Sequence, residues 1–198
     1  MTPANASRSV KPGASLAPHR IFGSLARIVL SGKAGKLPQS SNRTTEVSAG
    51  ILAFRRKAGL EVLLAHPGGP YWRRKDEGVW SIPKGVVESG NLLACAKREF
   101  NEETGLTAAG DFIELTPARQ KSGKIVHAFA VEADFDLSKF CSNEFEIEWP
   151  PRSGTIQRFP EVNRIAYFTL ATARRKILPG QRPFIEELAR NLVRGTHS

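Results

Sequence analysis

Three glutamates, Glu99, Glu102 and Glu103, stand at i, i+3 and i+4, a spacing that gathers side chains on one face of a helix. At 100° per residue they fall within about 100° of one another. Carboxylates so grouped are hard oxygen donors, and Mg²⁺ is commonly held by one or two of them with water and substrate phosphates. An ion there would neutralise a polyphosphate and lower the pKa of an attacking water. The triplet by itself does not demand a metal. Acids on a helix more often mark a solvated face, where a like-charge pair costs only about a few tenths of a kcal/mol. Context narrows the choice: Arg98 stands four residues before Glu102, Gly105 follows the triplet, and Pro83-Lys84-Gly85 lies upstream.

Those residues need a frame. The spacing predicts a helix over Leu92–Thr104, with Leu93, Ala96, Phe100 and Thr104 as its core stripe, Asn91 as cap and Gly105 as stop. The glutamates are expected on a face apart from that stripe. Ser48–Phe54 and Leu60–Ala65 read as a strand pair joined by a turn ending at Gly59. The Pro- and Gly-marked stretch 66–78 reads as a long loop, long enough to serve as a lid. Within it Tyr71 and Trp72 are candidates to stack on a base, although packing is the commoner role of such residues. Arg73, Arg74 and Lys75 stand next to them in the same loop, and Arg73 is a candidate substrate-binding residue. Val79–Ile82 reads as a short strand and residues 83–85 as a loop. Lys84 is then placed either against a phosphate or in solvent. Lys124–Val131, Asn143–Trp149 and Ile165–Leu170 read as strands, and Ala171–Ile177 and Arg182–Val193 as helices. On Asn143–Trp149 the acids Glu144, Glu146 and Glu148 share one face. His66 and His127, in or beside strands, read as packed side chains. The alternation of strands and helices implies a layered α/β domain.

Composition sets outer bounds. A chain of 198 residues, 40% hydrophobic, can bury a substantial core. No run approaches the 18 or so apolar residues of a membrane span. Cys95 and Cys141 are the only cysteines, too few for a disulfide framework, so a cytoplasmic location is expected. The formal charge of +10 is unevenly spread: residues 1–45 hold seven Lys or Arg and no acid, leaving 22 basic against 19 acidic side chains elsewhere. Residues 1–45 are expected to be a disordered basic extension, and residues 46–198 the folded domain. Organellar targeting is the alternative for that extension, which contains one apolar run, Ile21–Leu30. Basicity confined to such a segment argues against dedicated nucleic-acid binding. Oligomeric state leaves no signature here.

Arg98-Glu99-Phe100-Asn101-Glu102-Glu103-Thr104-Gly105-Leu106 resembles the second half of the Nudix box, G-x5-E-x7-R-E-U-x-E-E-x-G-U, where U is a bulky apolar residue. Gly85 matches its opening glycine. SAGILAFRR, HPGGP, WSIPKG, QKSGK, EWPP and KILPGQRPF are similar to segments of a bacterial subgroup of predicted NTP pyrophosphohydrolases. The first half departs from the pattern: 12 residues, not 13, separate Gly85 from Arg98, and the first box glutamate falls on Gly90 or Asn91. Glu88 lies two or three residues earlier.

The resemblance implies an α/β/α sandwich around a mixed β-sheet. It also implies Mg²⁺, or Mn²⁺, held by Glu99, Glu102, Glu103 and the Gly85 carbonyl, with Arg98 orienting a glutamate. A further ligand from outside the helix is common in the family, and Glu146 is the first choice. The implied activity is hydrolysis of a phosphoanhydride in a small nucleotide or polyphosphate. Trp80-x-x-Pro83-Lys84-Gly85 is similar to a segment of dinucleoside polyphosphate hydrolases, placing such compounds ahead of nucleoside triphosphates. The shortened box keeps a second expectation open, a catalytically weak nucleotide-binding module. RNA 5′-end processing, with the basic tail as a tether, is a third.

Overall fold

The structure, a computed structural model, describes residues 45–88 and 90–194. The expectations for residues 1–44, including the apolar run Ile21–Leu30, lie outside the described residues. No described helix is long and apolar enough to cross a membrane.

Strands β1 (Val47–Arg56) and β2 (Leu60–Pro67) form the expected hairpin, and β5 (Ile125–Glu132) runs parallel to β1 along its length. With β4 (Phe112–Arg119) and β8 (Val162–Thr169) the sheet has the order β4-β5-β1-β2-β8 and is mixed. β1 shows no polar alternation because both of its faces are covered. Leu52 and Phe54 look toward one apolar cluster, and Ala49, Ile51 and Ala53 toward the other. Helix α1 (Leu92–Thr104) seals the second cluster with Cys95, Ala96 and Phe100. Helices α2 (Leu170–Lys176) and α3 (Arg182–Arg194) seal the first with Ala173, Phe184, Ile185 and Leu188. The result is the expected α/β/α sandwich. Phe100 is fully buried, a contribution of roughly 1.5–3 kcal/mol.

α1 starts and stops where its sequence directs. The Asn91 side chain accepts the Ala94 N–H at 3.1 Å. Gly105 takes φ 71°, a left-handed conformation that glycine adopts at little cost, and donates to the Asn101 carbonyl.

Three local expectations need correction. Val79–Ile82 is no strand: Trp80 and Ser81 make only isolated bridges to Ile177 and Ala65. The strand comes next, as β3 (Lys84–Val86), where a loop was expected. The cause is β2, which pairs with β1 only over Phe54–Arg56. That leaves the same edge of Ser48–Gly50 open, and β3 fills it. β4 was not anticipated, since its register breaks between Leu115 and Ala118 and its burial does not alternate. β7 (Ile156–Pro160) was not anticipated either; it pairs with β6 (Glu144–Glu148) in a separate two-stranded ribbon. Phe145 anchors this ribbon, only 4% exposed and packed near Phe159.

Candidate active site

The site forms where α1 crosses β3. The Lys84 N–H points at the helix and donates to Glu103 Oε2 at 3.0 Å. One residue on, Gly85 lies under the Glu99 carboxylate, which a Cβ at that position would meet at 1.8 Å. Only glycine permits this approach. The default of a solvated face for such a triplet does not hold for two of its three acids. Glu103 and Glu99 are buried, at 1% and 8% exposure, and only Glu102 is exposed. The apolar stripe identified the flank that meets the sheet, whereas β3 covers the adjacent flank as well.

Burial without full compensation shows in the protonation equilibria. Desolvation pushes the Glu103 carboxyl up to about 8, against the pull of Lys84. Glu99 is also raised by burial, with Arg98 opposing. Glu103 Oε1 is buried and has no hydrogen-bond partner among the described residues. An unpaired acceptor at such a place costs about 1–3 kcal/mol unless something fills the gap.

Arg98 reaches two of the glutamates. It donates to Glu102 at 2.8 Å, the expected i,i+4 pair, and to Glu99 at 2.5 Å. Half-burial works against its charge, but pairing with Glu102 and Glu99 outweighs it and holds the guanidinium protonated. Arg98 thereby fixes the direction of both carboxylates.

Lys84, expected from sequence either against a phosphate or in solvent, is corrected on both counts by its burial. It is 1% exposed, its Nζ lacks a partner among the described residues, and burial lowers its pKa to about 8. Its alternation along β3 turns the side chain beneath the strand, against Gly50.

Glu146 is also corrected as the outside ligand. It is exposed on the ribbon and paired with Arg158 at 2.8 Å. The outside carboxylate whose charge acts on Glu103 is instead Glu161, 6% exposed between β7 and β8. Backbone hydrogen bonds from Glu161 to Asn143 and from Gly68 to Glu161, both 2.8 Å, fix its place. Nothing in Phe159-Pro160-Glu161-Val162 flags this residue, because its like charge reaches Glu103 only across the fold.

The 66–78 loop is tied down rather than free to act as a lid. His66 Nε2 bonds the Lys75 carbonyl at 2.7 Å, Trp80 donates to Asp76 at 3.0 Å, and Lys176 pairs with Asp76. Trp72 packs on the core with Lys75 Nζ 4.8 Å above its ring, so it is unavailable for stacking. Tyr71 is exposed, and Arg73 lines a groove beside it.

Among the described residues no three His, Cys, Asp or Glu side chains converge closely enough to hold an ion by themselves. Mg²⁺ ordinarily asks for only one or two protein carboxylates, with water and phosphate completing the sphere. Two buried carboxylates, one with an unfilled oxygen, fit that demand in donor type and charge.

Comparison with known proteins bears on the fold and the family. The chain is 28% identical over 120 residues to Nudix hydrolase 7 of Arabidopsis thaliana, covering 56% of this chain and 41% of that one. It therefore spans well under half the length of that curated relative. Among solved structures, it superimposes on the NUDIX domain of Shewanella oneidensis NrtR, determined with ADP ribose (TM-score 0.53, 15% identity, 76% of this chain and 90% of that one). It also superimposes on a mutT/nudix family protein from Listeria innocua (TM-score 0.51, 16% identity, 78% and 98%). The family model for the NUDIX domain matches residues 44–188, which takes in every strand of the sheet, the acid-bearing helix and the ribbon beside it. The chain belongs to the Nudix family.

Proposed function

We propose that the protein is a divalent-metal-dependent hydrolase that cleaves a phosphoanhydride bond in a nucleoside diphosphate-linked substrate. The observation that carries this reading is Glu103, a buried carboxylate on the Nudix helix with one oxygen bonded to the Lys84 N–H and the other unfilled. A bound divalent cation would offset phosphate charge and lower the pKa of an attacking water. The side chains supply the rest. Glu99 and Glu103 would offer oxygens to the ion from the buried side of the site, while Glu102 stands at its exposed rim. Arg98 keeps Glu99 and Glu102 aimed, and Gly85 leaves room for Glu99. Dinucleoside polyphosphates are the favoured substrates and nucleoside triphosphates the next, following the Trp80-x-x-Pro83-Lys84-Gly85 resemblance.

The test is to incubate the protein with Mg²⁺ or Mn²⁺ and a panel of nucleotide pyrophosphates, then identify products by mass. Two phosphorylated fragments per substrate are expected, and EDTA should stop their appearance. A second reading, a nucleotide-binding module with little turnover, is favoured by one feature: neither Gly90 nor Asn91 supplies the first box carboxylate. Nucleotide binding by calorimetry with no product from any panel member would select that reading and reject hydrolysis.

A further inference from the structure

Four polar side chains gather on the side of the sheet away from the acids. On β1, Ser48 and Gly50 alternate with Ala49 and Ile51, and so share the face of Leu52 and Phe54, opposite α1. Lys84 pairs with Gly50, and a Cβ on Gly50 would meet the Lys84 Cβ at 2.4 Å, which puts the lysine side chain in the same layer. Ser48 lies two residues along that ladder, between Val86 and Val126. The turn Pro179–Gln181, between α2 and α3, brings in Gln181, whose Oε1 accepts the Ile82 N–H at 3.0 Å. Gln120 packs on that turn, with its Cγ 3.3 Å from where a Gly180 Cβ would stand.

Each of the four holds a polar atom with no bond to make. Lys84 Nζ, Ser48 Oγ, Gln120 Nε2 and Gln181 Nε2 are buried and have no hydrogen-bond partner among the described residues. Lys84 is 1% exposed, and Ser48 and Gln181 are 0% exposed. Such atoms are few in a native protein, and an ordered water or ion commonly accounts for them. The chemistry of this set separates the two. An ammonium and an amide –NH₂ only donate, and Gln181 has already committed its oxygen to Ile82. A water among them accepts readily but meets few acceptors for its own hydrogens, whereas an anion needs none. Charge points the same way. Lys124 and Glu46, whose charges also reach Lys84, pair with each other at 2.6 Å. Glu103, across β3, takes the Lys84 backbone N–H rather than its amine.

We propose that Ser48, Lys84, Gln120 and Gln181 form a binding site for a small monovalent anion of the chloride class, on the side of β3 opposite the acids. One negative charge balances Lys84, and the hydroxyl and the two amides complete a shell of donors. Its occupancy bears on the acids because β3 is common to both: Lys84 turns its amine to the anion and gives its N–H to Glu103 at 3.0 Å. The inference stands on these side chains and holds whether or not the chain is a hydrolase.

The test reads binding. The full chain is exchanged into sodium isethionate at neutral pH, and chloride is titrated in at constant ionic strength while the melting temperature is followed. A site at roughly ten times its dissociation constant raises that temperature by roughly 3–6 °C in a chain of this size. The rise should saturate and should vanish in Lys84→Met. In Ser48→Ala, which removes one hydroxyl, half-saturation should need about tenfold more chloride. Crystals soaked in bromide locate the ion directly: an anomalous peak in contact with Lys84 Nζ is expected in the wild type and not in Lys84→Met. The inference is overturned if chloride has no effect on the wild type, or the same effect on the wild type and both variants. It is equally overturned if water, and no bromide, stands among the four donors. If Lys84→Met does not fold, Ser48→Ala and the wild-type bromide soak decide by the same criteria.

Discussion

The chain carries two acidic triplets that look alike on paper and differ in the fold. On α1, Glu99, Glu102 and Glu103 are split: two are buried against β3 and one is left in solvent. On β6, Glu144, Glu146 and Glu148 all remain exposed on one face of a two-stranded ribbon. The β6 acids are served by ordinary surface partners, Arg158 for Glu146 and the Gly154 N–H for Glu148. The α1 acids pay a desolvation cost that Arg98 and the Lys84 N–H meet only in part, since Glu103 Oε1 stays unfilled. A buried charge without full compensation is costly, by order several kcal/mol. A fold keeps such a group where an incoming cation returns the cost. Exposure tolerates acids; burial puts them to use.

The sharpest way to break this comparison is to neutralise one acid in each triplet. Glu103→Gln should lower metal-dependent turnover by about 10²-fold, in line with loss of a site's key charge, whereas Glu146→Gln should change it less than about twofold. Equal losses in a steady-state assay would erase the distinction. Gly85→Ala comes next. The added methyl meets the free end of the Glu99 side chain rather than backbone, so Glu99 can swing aside. Turnover should fall by roughly tenfold through misplacement, with a melting temperature within a few degrees of wild type. A large loss of stability in a thermal melt would show that Gly85 supports the fold more than the site.

The third prediction concerns pH. Glu103 titrates near 8 in the folded chain against an ordinary value of 4.5. The folded state therefore binds more protons than the unfolded state across that window, and stability from this group is lost as pH rises from 4.5 through 8. Lys84, lowered to about 8, has the opposite sign above that value: folding favours its neutral amine, so its burden eases as pH rises from 8 toward 10.5. Metal-free melting temperature should decline between pH 5 and 8, and Mg²⁺ should raise it more at pH 8 than at pH 5 because the ion binds the ionised carboxylate. Glu103→Gln should flatten both trends; a wild-type slope in that variant would assign the effect elsewhere. The smallest effect belongs to the ribbon. Arg158→Ala removes a fully exposed pair and should leave the melting temperature within about 1 °C.

Much of the scaffold was legible in the residues. Asn91, the Ala96/Phe100/Thr104 stripe and Gly105 delimited α1 to the residue, because capping and helical periodicity are properties of a few consecutive positions. The Glu144–Glu148 alternation gave β6 for the same reason. β4 escaped because its irregular register destroys alternation, and β3 because only the divergence of β2 from β1 makes room for it. In the site, the Arg98–Glu102 pair followed from i,i+4 spacing. The burial of Lys84, the packing of Trp72, the like-charge influence of Glu161 on Glu103 and the meeting of Tyr71 with Trp149 did not follow from any local pattern.

The sequence by itself determined the family, the acid-bearing helix with its two ends, and the layered order of strands and helices, since motif, cap and period act over a few neighbouring residues. Tertiary structure alone decided which acids lose their water, which outside carboxylate's charge reaches them, and which aromatic ring meets Tyr71. These depend on residues separated by tens of positions being brought within a few ångströms, and desolvation is set by whatever stands there.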